Sequence, residues 1–173
     1  MTGGDGAPTL TGMRTIVTAG DRIYLKYFDL QFFHDKAREA DAELHAFKGF
    51  DDARFTEAIA GADALVVIDR PVRAHHVQAM SRCRIILALE VGYDFIDVAA
   101  ATAKGIVVSN VPAYGRSEVA AHALTLLLAC QRRLGLLRAE TSRGGWDYNV
   151  CKPVADPEGL RLGIVGLGRI GRS

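Results

Sequence analysis

Short runs rich in apolar residues that keep returning between amphipathic stretches constrain this chain more than any other feature. The runs are Thr15 to Thr18, Glu43 to Phe47, Ala64 to Ile68, Ile85 to Leu89 and Ile106 to Ser109. Several are continuous β-branched or leucine runs, the pattern of strands buried on both faces. Between them, Phe32 to Ala40, Asp52 to Ile59, Arg73 to Met80 and Asp97 to Lys104 predict helices, each followed by Gly, polar residues or a cationic last turn. Strand and helix alternating in this way predict an α/β fold, a parallel sheet with helices on both faces.

After residue 110 the pattern changes. Val111-Pro112-Ala113-Tyr114-Gly115 interrupts any regular element and suits a domain junction. From Ser117 to about Ser142 the sequence predicts one long helix, whose first half, with Val119, Ala120, Ala123, Leu124, Leu126, Leu127, Leu128 and Ala129, is apolar almost all round. Such a helix needs burial on several sides. A loop through Trp146, Pro153 and Pro157 follows. Leu160 to Val165 then reads as a strand running straight into Gly166-Leu167-Gly168-Arg169-Ile170-Gly171. That spacing is the dinucleotide-binding fingerprint: one glycine for a tight turn, one for close approach of a pyrophosphate, one for helix–strand packing. The residue that would choose between NAD and NADP belongs about 20 positions further on, beyond Ser173, so an incomplete cofactor site is expected, with no saturable NADH or NADPH binding at micromolar concentration.

Composition narrows the partners. Of 173 residues 49% are apolar and 24% charged, and the net charge of +1 gives no reason to expect nucleic acid or an anionic membrane. No apolar run approaches a membrane span. Residues 1–13 carry neither a secretory nor a transit signal and read as a flexible tail, and the expected location is the cytoplasm. Cys83, Cys130 and Cys151 show no metal or redox spacing, as incidental thiols in a reducing compartment would. His34, His45, His75 and His76 show no ligand spacing and read as surface residues. His122 reads as a core or interface histidine, and Glu118 as a carboxylate complementing a helix N-terminus.

Three ordered blocks carry a resemblance. They are Val91-Gly92-Tyr93-Asp94-Phe95-Ile96-Asp97 continuing through Lys104-Gly105-Ile106-Val107-Val108-Ser109-Asn110-Val111-Pro112, then Ser117-Glu118-Val119-Ala120-Ala121-His122-Ala123-Leu124, then Leu162 to Gly171. With Arg143-Gly144-Gly145-Trp146 between them, they make residues 85–173 resemble the D-isomer-specific 2-hydroxyacid dehydrogenases. The resemblance implies a flavodoxin-like substrate-binding domain over residues 14–112, followed over 113–173 by the opening elements of a Rossmann NAD(P)-binding domain. It implies reduction of a 2-oxo acid with NAD or NADP, and a homo-oligomer. The substrate carboxylate is then expected on the backbone N–H groups around Val91 and Gly92, and the cofactor on Gly166, Gly168, Arg169, Ile170 and Gly171. Without the resemblance, Gly92 reads as a turn residue.

The family's catalytic arginine, glutamate and histidine are expected beyond Ser173, so the chain alone is expected to be inactive. A corepressor-like binding protein or a pseudoenzyme of the same fold is the alternative. Two departures bear on substrate preference. Where the family usually carries an arginine, one further residue and a glycine before Val91, this chain has Ala88, Leu89 and Glu90. Ala121 stands where an acidic residue commonly precedes the histidine.

Overall fold

A computed structural model describes residues 15–20, 29–49 and 51–173. The expected tail at 1–13 lies outside them. The chain divides into two compact units, Met1–Tyr114 and Gly115–Ser173.

The first unit is a five-stranded parallel sheet in the order β2-β1-β3-β4-β5. Its elements are β1 (Thr15–Gly20), α1 (Leu30–Glu39), β2 (Glu43–Lys48), α2 (Asp52–Ala60), β3 (Ala64–Ile68), α3 (Ala74–Ala79), β4 (Ile85–Ala88), α4 (Val98–Ala103) and β5 (Val107–Ser109). Aspartates open three of the helices: Asp29, Asp51 and Asp97 accept the N–H groups of Phe32, Arg54 and Ala100. The expected elements are present, with boundaries shifted by a few residues at most.

Strand order decides where the core sits. Crossovers between parallel strands are right-handed, so the connection from β1 to β2 runs over one face, while those made by α2, α3 and α4 run over the other. On the latter face the register lines up Val17, Leu65 and Ile86 in one row and Ala19, Val67 and Ala88 in the next. Phe55, Ile59, Val77, Met80, Ala101 and Ile106 close over these rows. Burial on both faces holds for β3 but not for β4, where Ile85 and Leu87 are only half-buried.

The second unit departs from expectation in three ways. The single long helix is instead α5 (Arg116–Gln131) and α6 (Leu134–Ser142), separated at Arg133, whose φ of 51° is left-handed. The break is held by side chains: Gln131 Nε2 donates to Ala155 O at 2.6 Å and Arg133 to Lys152 O at 3.4 Å. No residue of α5 is buried, against the expectation for its apolar first half. The strand expected at 160–165 is likewise irregular and exposed, because among the described residues no second strand pairs with it, and an unpaired strand is not stable alone.

Candidate functional site

In a sheet of this order, ligand-binding loops lie beyond the carboxyl ends of the strands. There β3 runs into Asp69 and Arg70, and β4 into the segment from Leu89 to Asp97. Asp69 has a left-handed φ of 48°. Arg70 follows it into the interior, its guanidinium 3.9 Å from the Phe55 ring centroid and donating to Gly49 O at 2.6 Å. Burial lowers its pKa, opposed by Asp52 and Asp51.

The segment after β4 carries the expected carboxylate-binding residues. The Glu90 carbonyl accepts the N–H of Val111 at 3.0 Å, and the Val91 carbonyl accepts the Asn110 side-chain amide at 2.7 Å. In a trans peptide the N–H points opposite to the C=O. Two successive carbonyls held toward the residues after β5 therefore turn the N–H groups of Val91 and Gly92 together to the opposite side. Both residues are exposed. Consecutive amides aimed one way form an anion-receiving surface. Asn110 had no role in the sequence reading; its position directly after a parallel strand was the available signal. A side chain on Gly92 would start 3.3 Å from the Asp94 carboxylate, tight but not excluded, so close approach rather than backbone strain favours glycine there.

Glu90 stands beside this surface. It is half-buried and its carboxylate lies near the Asp69 backbone; burial first, then Asp69 and Asp94, raise its pKa above the ordinary 4.5. Ala88, at the family's arginine position, is fully buried in the core row.

The glycine motif lies in the second unit. Gly166 has φ 97°, and a Cβ on Gly171 would overlap the Gly166 carbonyl, so both positions require glycine as the turn is built. Beside it Arg116, Gly168, Arg169, Arg172 and Ser173 line a cavity of about 700 Å³. A glycine-rich turn beside three guanidinium groups suits a pyrophosphate. Ile170 is exposed.

The histidine reading needs correction. His75 is exposed as expected, but His76 is buried at 1% exposure, its ring edge-on to Phe55 at 5.0 Å. The signal missed was helical phase: His76 and Val77 are the buried residues of α3. Asp52, His75 and His76 bring three potential metal ligands within 4.8 Å of one another. The hydrogen bonds argue against a metal there. His76 Nδ1 accepts the Arg73 N–H at 3.0 Å, so the neutral ring carries its proton on Nε2 and donates it to Asp52 at 2.8 Å. No lone pair of His76 then faces the group. His122 is exposed rather than in a core, Cys83 is buried, and Glu118 lies in the first turn of α5. No described helix is long and apolar enough to cross a membrane.

Comparison with known proteins agrees with this architecture. D-3-phosphoglycerate dehydrogenase of Methanocaldococcus jannaschii is 36% identical over 138 residues, 79% of this chain and 26% of that protein. Glycerate dehydrogenase of Methylorubrum extorquens is 29% identical over 138 residues, 75% of this chain and 44% of that protein. Among solved structures, the NADPH-dependent glyoxylate/hydroxypyruvate reductase of Sinorhizobium meliloti in complex with citrate superposes with a TM-score of 0.73 at 27% identity, over 93% of this chain and 48% of that one. The chain thus spans between about a quarter and a half of these relatives. The model of the D-isomer specific 2-hydroxyacid dehydrogenase catalytic domain matches residues 25–160, most of the chain, and the chain belongs to that family.

Proposed function

We propose that this chain supplies the substrate-carboxylate loop and the pyrophosphate turn of an NAD(P)-dependent oxidoreductase acting on the CH–OH group of a D-2-hydroxy acid. The observation that carries the reading is the pair of co-directed N–H groups of Val91 and Gly92. An α-carboxylate seated on them leaves the neighbouring 2-oxo carbon at the loop surface. The glycine turn from Gly166 to Gly171, with Arg169, receives the cofactor's diphosphate. The nicotinamide, when bound, supplies the hydride acceptor or donor. Within the chain the assigned work is binding and orientation. Relatives support the class: the Sinorhizobium meliloti reductase uses NADPH, and a D-2-hydroxyisocaproate dehydrogenase superposes with a TM-score of 0.71 at 27% identity over 91% of this chain.

The test is a titration of the isotope-labelled chain with glyoxylate, followed by amide NMR. Saturable shifts centred on Val91 and Gly92 are expected. Shifts confined to other segments, or none up to tens of millimolar, refute the carboxylate assignment.

A further inference from the structure

His76 is a buried ionisable group that the proposed reaction does not use, and its surroundings leave room for one protonation state only. Its Nδ1 accepts the Arg73 N–H at 3.0 Å, closing the first turn of α3 from the helix's own third position, as the glutamate or glutamine of a capping box does. Its Nε2 donates to one oxygen of Asp52, and the other oxygen is 2.8 Å from His75 Nε2. A second proton on the ring can go only to Nδ1. There it would set a ring N–H against the Arg73 N–H, donor against donor, and the bond that begins α3 must break.

What lies one residue away gives that break a destination. Val72 is fully buried, its N–H donates to Phe95 O at 2.9 Å, and its carbonyl accepts the Asp97 N–H at 2.8 Å. These two bonds form the bridge between Val72 and Ile96. The bridge pins the far end of the segment that starts at Val91 and Gly92, so the start of α3 and the closing of that segment share one peptide group, the Val72 carbonyl and the Arg73 N–H.

We propose that His76 is an acid-sensitive latch: protonating its ring releases the start of α3, frees the bridge between Val72 and Ile96, and loosens the segment from Val91 to Asp97. The charged groups around the ring set the threshold. From α2, Asp52 attracts a proton to it, while Asp51 is occupied by the Arg54 N–H. From the end of β3, Arg70 shares the Phe55 ring with it and repels a charge. On α3 itself His75 stacks on it with centroids 3.9 Å apart, and Arg73 contributes its backbone N–H. From α4, Lys104 binds the Val77 and Gln78 carbonyls at the opposite end of α3. Burial outweighs Asp52 and holds the His76 pKa below its ordinary 6.5, so the latch opens on acidification below that value rather than at neutrality. Any consequence for substrate rests on the reading of the Val91–Gly92 amides as the carboxylate seat.

The experiment measures amide hydrogen-exchange protection in the full chain at pH 7.5 and pH 5, corrected for intrinsic rates. Protection at Val72, Arg73 and Asp97 is expected to fall at least tenfold at the lower pH, while Leu65 and Val67 keep theirs. His76→Gln, whose side-chain carbonyl can accept the Arg73 N–H and whose amide can donate to Asp52, is expected to abolish the response. His75→Gln is expected to retain it. Unchanged protection in the wild type, or the same loss in His76→Gln, overturns the latch. Should that variant fail to fold, ring nitrogen spectra of the wild type decide. A bare Nδ1 at neutral pH, protonated in step with movement of the Arg73 amide, upholds the proposal, and a protonated Nδ1 at neutral pH overturns it. A glyoxylate titration of Glu90→Gln, which removes the other titrating group beside the seat, at both pH values separates the two readings: a latch that opens with no change in glyoxylate affinity stands, and the carboxylate assignment falls.

Discussion

Glu90 is the residue whose change most directly probes the proposed site. Its carboxylate lies near the Asp69 backbone, on the residue that precedes the Val91 amide, so an anion on the Val91 and Gly92 amides approaches a like charge. At a separation of about 6 Å and an effective dielectric of 20, Coulomb's law gives roughly 3 kcal/mol of repulsion. Partial exposure and salt reduce this to about 1 kcal/mol, or roughly fivefold in affinity. Glu90→Gln removes the charge, so glyoxylate should bind about fivefold more tightly near neutral pH. The pH dependence follows from the raised pKa. Above it the wild-type side chain is charged and binding is weak; as pH falls through it, the wild type should approach the variant. Amide titrations of both proteins between pH 5 and 8 measure this. Equal affinities at pH 8, or a gap that widens toward pH 5, refute the electrostatic reasoning.

Asn110→Ala removes the 2.7 Å bond that turns the Val91 carbonyl, and should weaken glyoxylate binding several-fold for a stability loss of only about 1 kcal/mol, read from urea unfolding. Phe55→Ala should cost about 3–5 kcal/mol, because the ring is fully buried and also carries the Arg70 guanidinium; a thermal midpoint within a few degrees of wild type contradicts that. His76, a base whose folded pKa lies below 6.5, contributes stability that is complete above that value and drains away as pH falls, so urea midpoints should drop between pH 7 and pH 5 in the wild type and less in His76→Gln. With Leu124, Leu126, Leu127 and Leu128 all exposed on α5, light scattering should show self-association that grows with concentration.

The first unit was legible because its signals are local and redundant. Unbroken runs such as Ala64 to Ile68 name buried strands, and an aspartate before each of three helices names a start. Strand order and the split between the two sheet faces were not written in any run of residues. Only the split follows from crossover handedness, and only once the strand order is set; it sends three crossovers over one face, and on β4 Ile85 and Leu87 are half-buried. His76 was misjudged because a histidine pair carries no sign of which ring faces inward; only the phase of a short helix against Phe55 decides it. In the second unit the apolar stretch of α5 and the run from Leu160 to Val165 were read from composition, yet burial and strand pairing depend on partners that composition does not contain.

The loop residues show how far a resemblance carries and where geometry takes over. Ala88 and Glu90 first read as one change, a lost cation and a gained anion at the same place. The structure separates them. Ala88 ends β4 with its side chain wholly inside the core row, packed in register beside Val67, so a long cationic side chain at this position has no room in the fold as built. Glu90 lies beyond the last residue of the strand, where the rule that neighbours point to opposite faces no longer holds. Its carboxylate lies near Asp69, at the end of the adjacent strand, and near Asp94. On the proposed reading, the residue before the anion seat thus carries a carboxylate whose pKa is raised by burial first, then by Asp69 and Asp94. On that reading Glu90 opposes an anionic substrate while it is charged and stops opposing it once protonated.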